Sequence, residues 1–324
     1  MTLGDVLAAP GPVLALAPMQ DVTDLAFWKL LSTHGGGADL YYTEYFRVTP
    51  GYRPIRTILR SITENPTGRP AIAQLIGNDP AAMARTARAL ERHPVAGVDL
   101  NLGCPAPVVF RKCAGGGLLR DPERVDELLG VLREAVAGPL TVKTRIGFSD
   151  PSEFDRLLDV FSRHKIDLLS VHGRTVAQKY APGVHLDRIA EAVQRMECPV
   201  LANGDIWTPE DAVHVLERTG ARGLMLGRGA VRNPWIFHHI RERLAGREVA
   251  PISGTERLGY VRDLYAATCS EEVPERCQVQ KMKRYMNFIG VGIPGSDAFL
   301  HEIRRCSTRA DFFAICRRHF CPDH

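Results

Sequence analysis

A chain of 324 residues that is 45% hydrophobic and 24% charged can bury a large core, which excludes bulk disorder. No apolar stretch nears the ~18 residues that span a bilayer, no basic segment leads into a long apolar run, and eight cysteines fall at irregular spacings, so a cytoplasmic protein is expected rather than an exported, membrane-bound or disulfide-stapled one. The net charge of +4 is uneven: residues 276–324 hold nine Lys/Arg against four Asp/Glu, and the rest of the chain is near neutral. A basic tail on a neutral body fits a polyanionic partner as well as it fits a solvated helical surface.

Eight short, nearly continuous apolar runs recur at 13–19, 38–46, 70–77, 97–105, 140–146, 168–174, 199–205 and 223–230. Such runs suit parallel strands buried on both faces. Amphipathic stretches with helix punctuation lie between them. Asp79-Pro80 opens one; the Asp-Pro-Glu of 121–123 and the Thr-Pro-Glu of 208–210 open two more, each a cap followed by proline in the first turn. Eight strand–helix units within about 230 residues predict an α/β fold, a (β/α)8 TIM barrel, in preference to an open doubly wound sheet.

The strand signal stops after NPWIFHHIRERLAG. REVAPISG (247–254) reads as a linker and the residues beyond it as helical, which places a barrel domain at 1–248 and a small all-helical domain at 249–324. In 278–289, Val279, Met282, Met286 and Ile289 share one helical face. Lys281, Lys283 and Arg284 surround it, and Arg276 extends the patch, so Arg276, Lys281 and Arg284 are candidate contacts to a polyanionic partner. Cys269, Cys277, Cys306, Cys316 and Cys321 contain no C-x-x-C pair, so no metal site is expected.

In such barrels the polar residues at the carboxyl ends of the strands converge on one mouth. Those ends here carry Pro18-Met19-Gln20, Gln74, Asn101 and Cys104, Lys143 and Arg145, His172 and Arg174, Asn203-Gly204-Asp205 and Gly227-Arg228-Gly229. One buried His or Gln is an ordinary satisfied core group; a polar set at the same end of successive strands is not. Glycines beside polar groups after the last two strands suit a phosphate held by backbone N–H groups, with Arg228 adding a charged contact. Lys143 suits an acceptor that becomes negative, such as the N1–C2=O edge of a reduced flavin, and also suits a Schiff-base nucleophile. Gln74 and Asn203 can bond the imide-like edge of such a ring, while Pro18 and Met19 can wall its face. Cys104 sits between Gly103 and Pro105, where a strand gives way to a glycine-rich segment, a position that packing alone does not explain.

Taken together, LAPMQDVTD, TEYFRV, AQLIG, VDLNLGCP, GGGLL, VKTRIG, VHGRT, ANGDIW and GRGAVRNPW resemble the tRNA-dihydrouridine synthases across nearly the whole chain. The wording is most similar to the bacterial C-type branch, which modifies uridine 16 of the D-loop. The resemblance implies an FMN-bearing barrel, an RNA-binding helical domain, tRNA as partner and NADPH as reductant. It implies FMN contacts from Pro18, Met19, Gln20, Gln74, Lys143, His172, Asn203, Gly204, Asp205, Gly227 and Arg228, and Cys104 as proton donor. Asn101, Arg145 and His172 would surround the target base. Saturating the uracil C5–C6 bond takes a hydride at C6, supplied by reduced flavin, and a proton at C5, for which a neutral thiol has a suitable acidity. The glycine-rich loop of residues 114–117 is expected to close over the extruded base.

Residues 106–113 depart from the family in being apolar at Ala106, Val108, Val109 and Phe110, and Cys113 is read as incidental. No protein partner is implied and a monomer is expected. Two other functions stay open: an FMN oxidoreductase of a free pyrimidine, similar to dihydroorotate dehydrogenase, and a non-catalytic RNA-binding barrel. The basic tail speaks against the first; intact Cys104, Lys143 and His172 speak against the second. Ribosomal RNA as substrate of the same chemistry also stays open.

Overall fold

The structure, a computed structural model, describes residues 1–322; Asp323 and His324, counted above in the basic tail, lie outside the described residues. Nine strands follow in chain order: β1 Val13–Leu16, β2 Leu40–Tyr42, β3 Phe46–Arg47, β4 Ala71–Ile76, β5 Gly97–Leu102, β6 Leu140–Arg145, β7 Leu168–His172, β8 Val200–Asn203 and β9 Gly223–Leu226. All pair in parallel. β1 joins β2, β2 joins β4, each later strand joins its successor, and β9 returns to β1, closing an eight-stranded ring. This is the barrel expected from the eight apolar runs. β3 is an addition beside the end of β4, because the run 38–46 breaks after β2. At that break the Thr43 hydroxyl accepts the Gln74 N–H at 3.1 Å.

Alternation along the strands divides the apolar residues between two cores. Leu16, Leu100, Val142 and Val171 belong to an outer layer shared with the helices. Ala15, Tyr42, Ile72, Leu168, Leu201 and Met225 form a second cluster, joined by Leu3 and Val6 of the N-terminal helix Leu3–Ala8. One end of the barrel is therefore plugged by apolar side chains, and polar inward residues collect at the other. Register shows the climb: Gln74, Asp99 and Thr141 form one row, Asn101, Lys143 and Ser170 the next, Arg145, His172 and Asn203 the uppermost.

The helix starts follow the sequence signals. Asp79 caps Pro80–Leu90, Asp121 caps Pro122–Ala135, and Thr208 caps Pro209–Thr219 in a reciprocal box with Asp211. After the barrel come helices Gly254–Thr268, Glu275–Ile289, Ser296–Ile303 and Arg309–Phe320. Val279, Met282, Met286 and Ile289 are all buried, as their spacing predicts, and Tyr285 joins them. Tyr285 stacks on Phe27 of the barrel at 6.3 Å, and its hydroxyl donates to the Val22 carbonyl at 3.1 Å. The tail thus shares one apolar core with the outside of the barrel. All eight cysteines are free thiols, and no described helix is long and apolar enough to cross a membrane.

Candidate active site

A cavity of about 500 Å³ opens at the carboxyl ends of the strands. Pro18, Met19, Gln20, Asn101, Cys104, Lys143, Arg145, His172, Asn203, Gly204, Asp205, Gly227 and Arg228 all line it. Residues far apart in the chain meet there because each follows an inward-pointing position at the top of a strand. Gln74 does not line it. Its Nε2 donates to Asp99 Oδ2 and its Oε1 accepts from Asn101 Nδ2, both at 2.8 Å, so its amide is engaged below the cavity rather than offered to a ligand.

The cavity is strongly cationic. Lys143 donates to Asn203 Oδ1 at 3.3 Å, and Asn203 Nδ2 in turn donates to the Met225 carbonyl at 2.7 Å. No carboxylate among the described residues lies within ion-pair range of Lys143. Enclosure and the nearby Arg145 charge lower its pKa to about 8. Arg145 is buried and spans the wall, donating to the carbonyls of Gly103 at 3.0 Å and of Thr175 and Lys179 at 2.8 Å. It therefore braces the strand end before Cys104 against residues 175–179, with Nη2 left over to face the cavity. Asp205 accepts from Arg228 Nη2 at 2.9 Å and from the buried Arg174. Arg228 lies between the rings of Tyr180 at 4.4 Å and Trp207 at 4.9 Å. Burial, reinforced by Arg145, Lys143, Arg174 and Arg228, holds the His172 imidazole well below its usual pKa, so it is neutral at physiological pH.

Two of the glycines differ in kind. Gly204 has a φ of +131°, and a Cβ there would stand 3.1 Å from His172. A Cβ on Gly229 would fall 2.2 Å from the Ile206 carbonyl oxygen, so this glycine is required by chain packing against 206 rather than by an approaching phosphate.

Cys104 is half-buried at the opposite wall, and burial pushes its thiol up from the ordinary value. Its N–H and that of Gly103 both donate to Asn101 Oδ1 at 3.0 Å. The glycines expected to close as a loop do something else. Gly115, Gly116 and Gly117 are buried in a 3₁₀ turn, Gly115–Arg120, directly behind the thiol. Gly116 N–H donates to the Cys104 carbonyl at 3.2 Å. A Cβ on Gly116 would meet Val176 at 2.5 Å, and one on Gly117 the Phe110 carbonyl oxygen at 2.4 Å. They are a backing plate: small because the chain passes so close. Within the apolar 106–110 segment Val109 is buried and Phe110 lies edge-on to Phe148 at 5.7 Å, whereas Val108 is exposed.

Of the basic tail residues, none reaches the cavity. Arg276 is exposed. Lys281 donates to the Thr268 carbonyl at 2.8 Å and lies 3.8 Å from Asp24, while Arg284 lies 3.3 Å from Asp21. Together with Glu44 these groups line a second hollow between barrel and tail. Two of the three expected phosphate contacts are thus already paired with barrel carboxylates. Several lining residues escape a sequence reading: Tyr45, Lys179, Tyr180, Trp207 and Phe288. Trp207 follows Asp205 by two positions and could have been reached by extending the strand-end search. Phe288 comes from the tail helix, and nothing in the barrel pattern points to it.

The model of the family described as dihydrouridine synthase matches residues 15–321, barrel and tail together. The chain belongs to the dihydrouridine synthase family. Among curated relatives it is similar to the tRNA-dihydrouridine(16) synthase of Ralstonia nicotianae, 32% identical over 93% of this chain and 94% of that one. It is also similar to the tRNA-dihydrouridine synthase B of Yersinia pestis, 36% identical over 78% of this chain and 80% of that one. Among solved structures, the 6-hydroxypseudooxynicotine amine oxidase of Pseudomonas geniculata N1 has a TM-score of 0.56 at 12% identity over 75% of this chain and 50% of that one, a likeness of fold alone. The cavity of this family member is lined by the thiol of Cys104, by Lys143 and by Arg145 and Arg228.

Proposed function

We propose that the chain is a flavin-dependent tRNA-dihydrouridine synthase that saturates the C5–C6 bond of uridine 16 in the D-loop, with NADPH as reductant. The names of its relatives support the substrate. The observation that carries the chemistry is Lys143: an ammonium enclosed in a cavity with one amide partner and no carboxylate. Such a cation wants an electron-rich partner. With Arg145, Lys179 and Arg228 against Asp205, the one carboxylate among the described lining residues, the donor set fits a phosphorylated flavin, and about 500 Å³ is within the usual range for a small-molecule site.

In this reading Pro18, Met19, Gln20 and Asn203 would hold the ring of FMN, with Lys143 as the cation for its electron-rich edge, and Gly204, Gly227 and Arg228 would receive its phosphate, Asp205 holding the Arg228 guanidinium in place. His172, neutral, packs between them as a hydrogen-bonding group rather than a charge. When bound, FMN supplies the hydride that it takes from NADPH. Cys104 keeps its proton until the base arrives, because burial disfavours the thiolate. It then gives that proton to C5 of the uracil from its place beside Asn101. Asn101 fixes the Cys104 backbone beside the base, and Arg145, which also lines the cavity, orients the base. Residues 1–248 form the catalytic domain and 249–324 the RNA-binding domain, acting as a monomer in the cytoplasm, where eight free thiols persist.

The test is direct. The purified protein should absorb as a flavoprotein and oxidise NADPH in the presence of unmodified tRNA, leaving dihydrouridine at position 16. A colourless protein, or NADPH oxidation driven by a free pyrimidine and indifferent to tRNA, overturns the proposal.

A further inference from the structure

We infer that Asp99, which lines neither the cavity nor the surface, is a positioning residue for the reaction: through Gln74 and Asn101 it holds the backbone of Cys104 in the place from which the thiol delivers its proton. The inference rests on Cys104 as the proton donor.

Asp99 and Asn101 are two residues apart on β5, so both side chains point into the barrel. The register partners of Asp99 are Gln74 on β4 and Thr141 on β6, and both bond it. The Thr141 hydroxyl donates to Oδ1 at 2.6 Å and Gln74 Nε2 to Oδ2 at 2.8 Å. Gln74 Oε1 accepts from Asn101 Nδ2 at 2.8 Å. Asn101 Oδ1 then accepts the N–H groups of Gly103 and Cys104, each at 3.0 Å. The chain of hydrogen bonds runs unbroken from the barrel core to the backbone of Cys104, and its direction is forced at both ends. An ionised carboxylate only accepts; two backbone N–H groups only donate.

Asp99 is an expensive residue for this place. It is fully buried, with no cation in ion-pair range among the described residues. Burial raises its pKa to about 6, against the opposing hydrogen bonds from Thr141 and Gln74 and the charge of Lys143. A leucine would keep the branched shape, at larger volume, without that desolvation. What leucine would not do is fix an amide. With no acceptor below it Gln74 is free to turn, Asn101 loses its partner, and the Cys104 backbone loses the geometry that proton delivery to carbon requires.

The experiment compares purified holoenzymes: wild type, Asp99→Leu, Asp99→Asn and Cys104→Ala. Pre-reduced enzyme is mixed with unmodified tRNA in a single turnover, so changes in the reductive step do not enter. Flavin content, melting temperature and tRNA affinity are measured beside it, as is the N-ethylmaleimide alkylation rate of Cys104, resolved from the exposed Cys113 and Cys277 by peptide mapping. Asp99→Leu should slow transfer ~10-fold or more and speed Cys104 alkylation, with tRNA affinity within about twofold of wild type. Asp99→Asn can still accept from Gln74 through Oδ1, so it should restore transfer to within about threefold, a rescue that a space-filling role does not predict.

Should the leucine variant fail to fold, Gln74→Glu sets a second carboxyl against Asp99. The pair must then share one proton, with Lys143 above and Tyr42 beside it, so transfer should fall with rising pH in a way that wild type does not. Wild-type transfer and alkylation in Asp99→Leu, or a Gln74→Glu profile parallel to wild type, overturn the inference. Normal transfer in Cys104→Ala instead counts against the thiol as donor, and the alkylation rates then still decide whether the relay holds it.

Discussion

At the scale of the residue, the proposed chemistry divides between Cys104 and Lys143. Cys104→Ala should leave flavin content and its reduction by NADPH intact while transfer to tRNA falls by ~10²-fold, the usual cost of losing a positioned acid. Single-turnover mixing of reduced enzyme with unmodified tRNA reads this, and a near-normal rate would assign the proton to another group. Lys143 has a signed pH dependence. Its pKa is lowered to about 8, so its charge is present below that pH and lost above it. Reduction by NADPH should therefore slow as pH rises through about 8 in wild type, and Lys143→Ala should be slow and flat across the same range. These two residues were legible in the sequence because each sits at a strand end, where position alone implies the mouth of the barrel. Gln74 was legible by the same rule and differs in outcome. A strand end tells which way a side chain points, not which partner takes it, and Asp99 lay one strand away in register.

Among the elements, strands and capped helices follow the sequence closely. Their signals are local: continuous apolar runs, and a cap followed by proline. The glycine-rich segment does not. Glycine marks either freedom or crowding, and the sequence reads the same in both cases. Here it marks crowding, since Gly116 stands against Val176 and the Cys104 carbonyl. Gly116→Ala should therefore cost about 1–3 kcal/mol, the range for overpacking a filled site, and should slow transfer by displacing Cys104. Thermal unfolding and single-turnover transfer check the two halves. An alanine variant with an unchanged melting temperature would return this segment to the role of a mobile loop. The same crowding accounts for Val109 and Phe110, but not for Val108, which is exposed. Phe110 packs on Phe148, with the Arg120 guanidinium 3.4 Å above the Phe148 ring.

For the molecule as a whole, the barrel carries acid where the tail carries base. Asp21, Asp24 and Glu44 face Lys281 and Arg284 across the second hollow. Burial pushes Glu44 up to about 7, with Asp24 and Asp21 adding to the shift. Its charge is thus present above that pH and lost below it, and more positive charge is left for RNA at the acid side. Affinity for tRNA should weaken as pH rises through about 7, and Glu44→Gln should flatten that dependence in binding titrations. Arg276→Ala, at an exposed residue, should lower the salt slope of log K by roughly 0.7–0.9, whereas changing Lys281 and Arg284 together should remove less than twice that. The sequence showed the basic surplus but not this pairing, because Asp24 and Asp21 lie 257 and 263 residues before their partners Lys281 and Arg284.

Phe288 carries the consequence furthest. It belongs to the same helix as Lys281 and Arg284, yet it forms part of the wall of the cavity at the barrel mouth. Barrel and tail are therefore not interchangeable modules. A hybrid joining this barrel to a relative's tail, made to redirect the enzyme to another uridine, would also replace a piece of the wall. Such a hybrid needs Phe288 and the Val22–Tyr285 contact carried across with the barrel, so the seam for any domain exchange runs through the helix Glu275–Ile289 rather than through the linker before it.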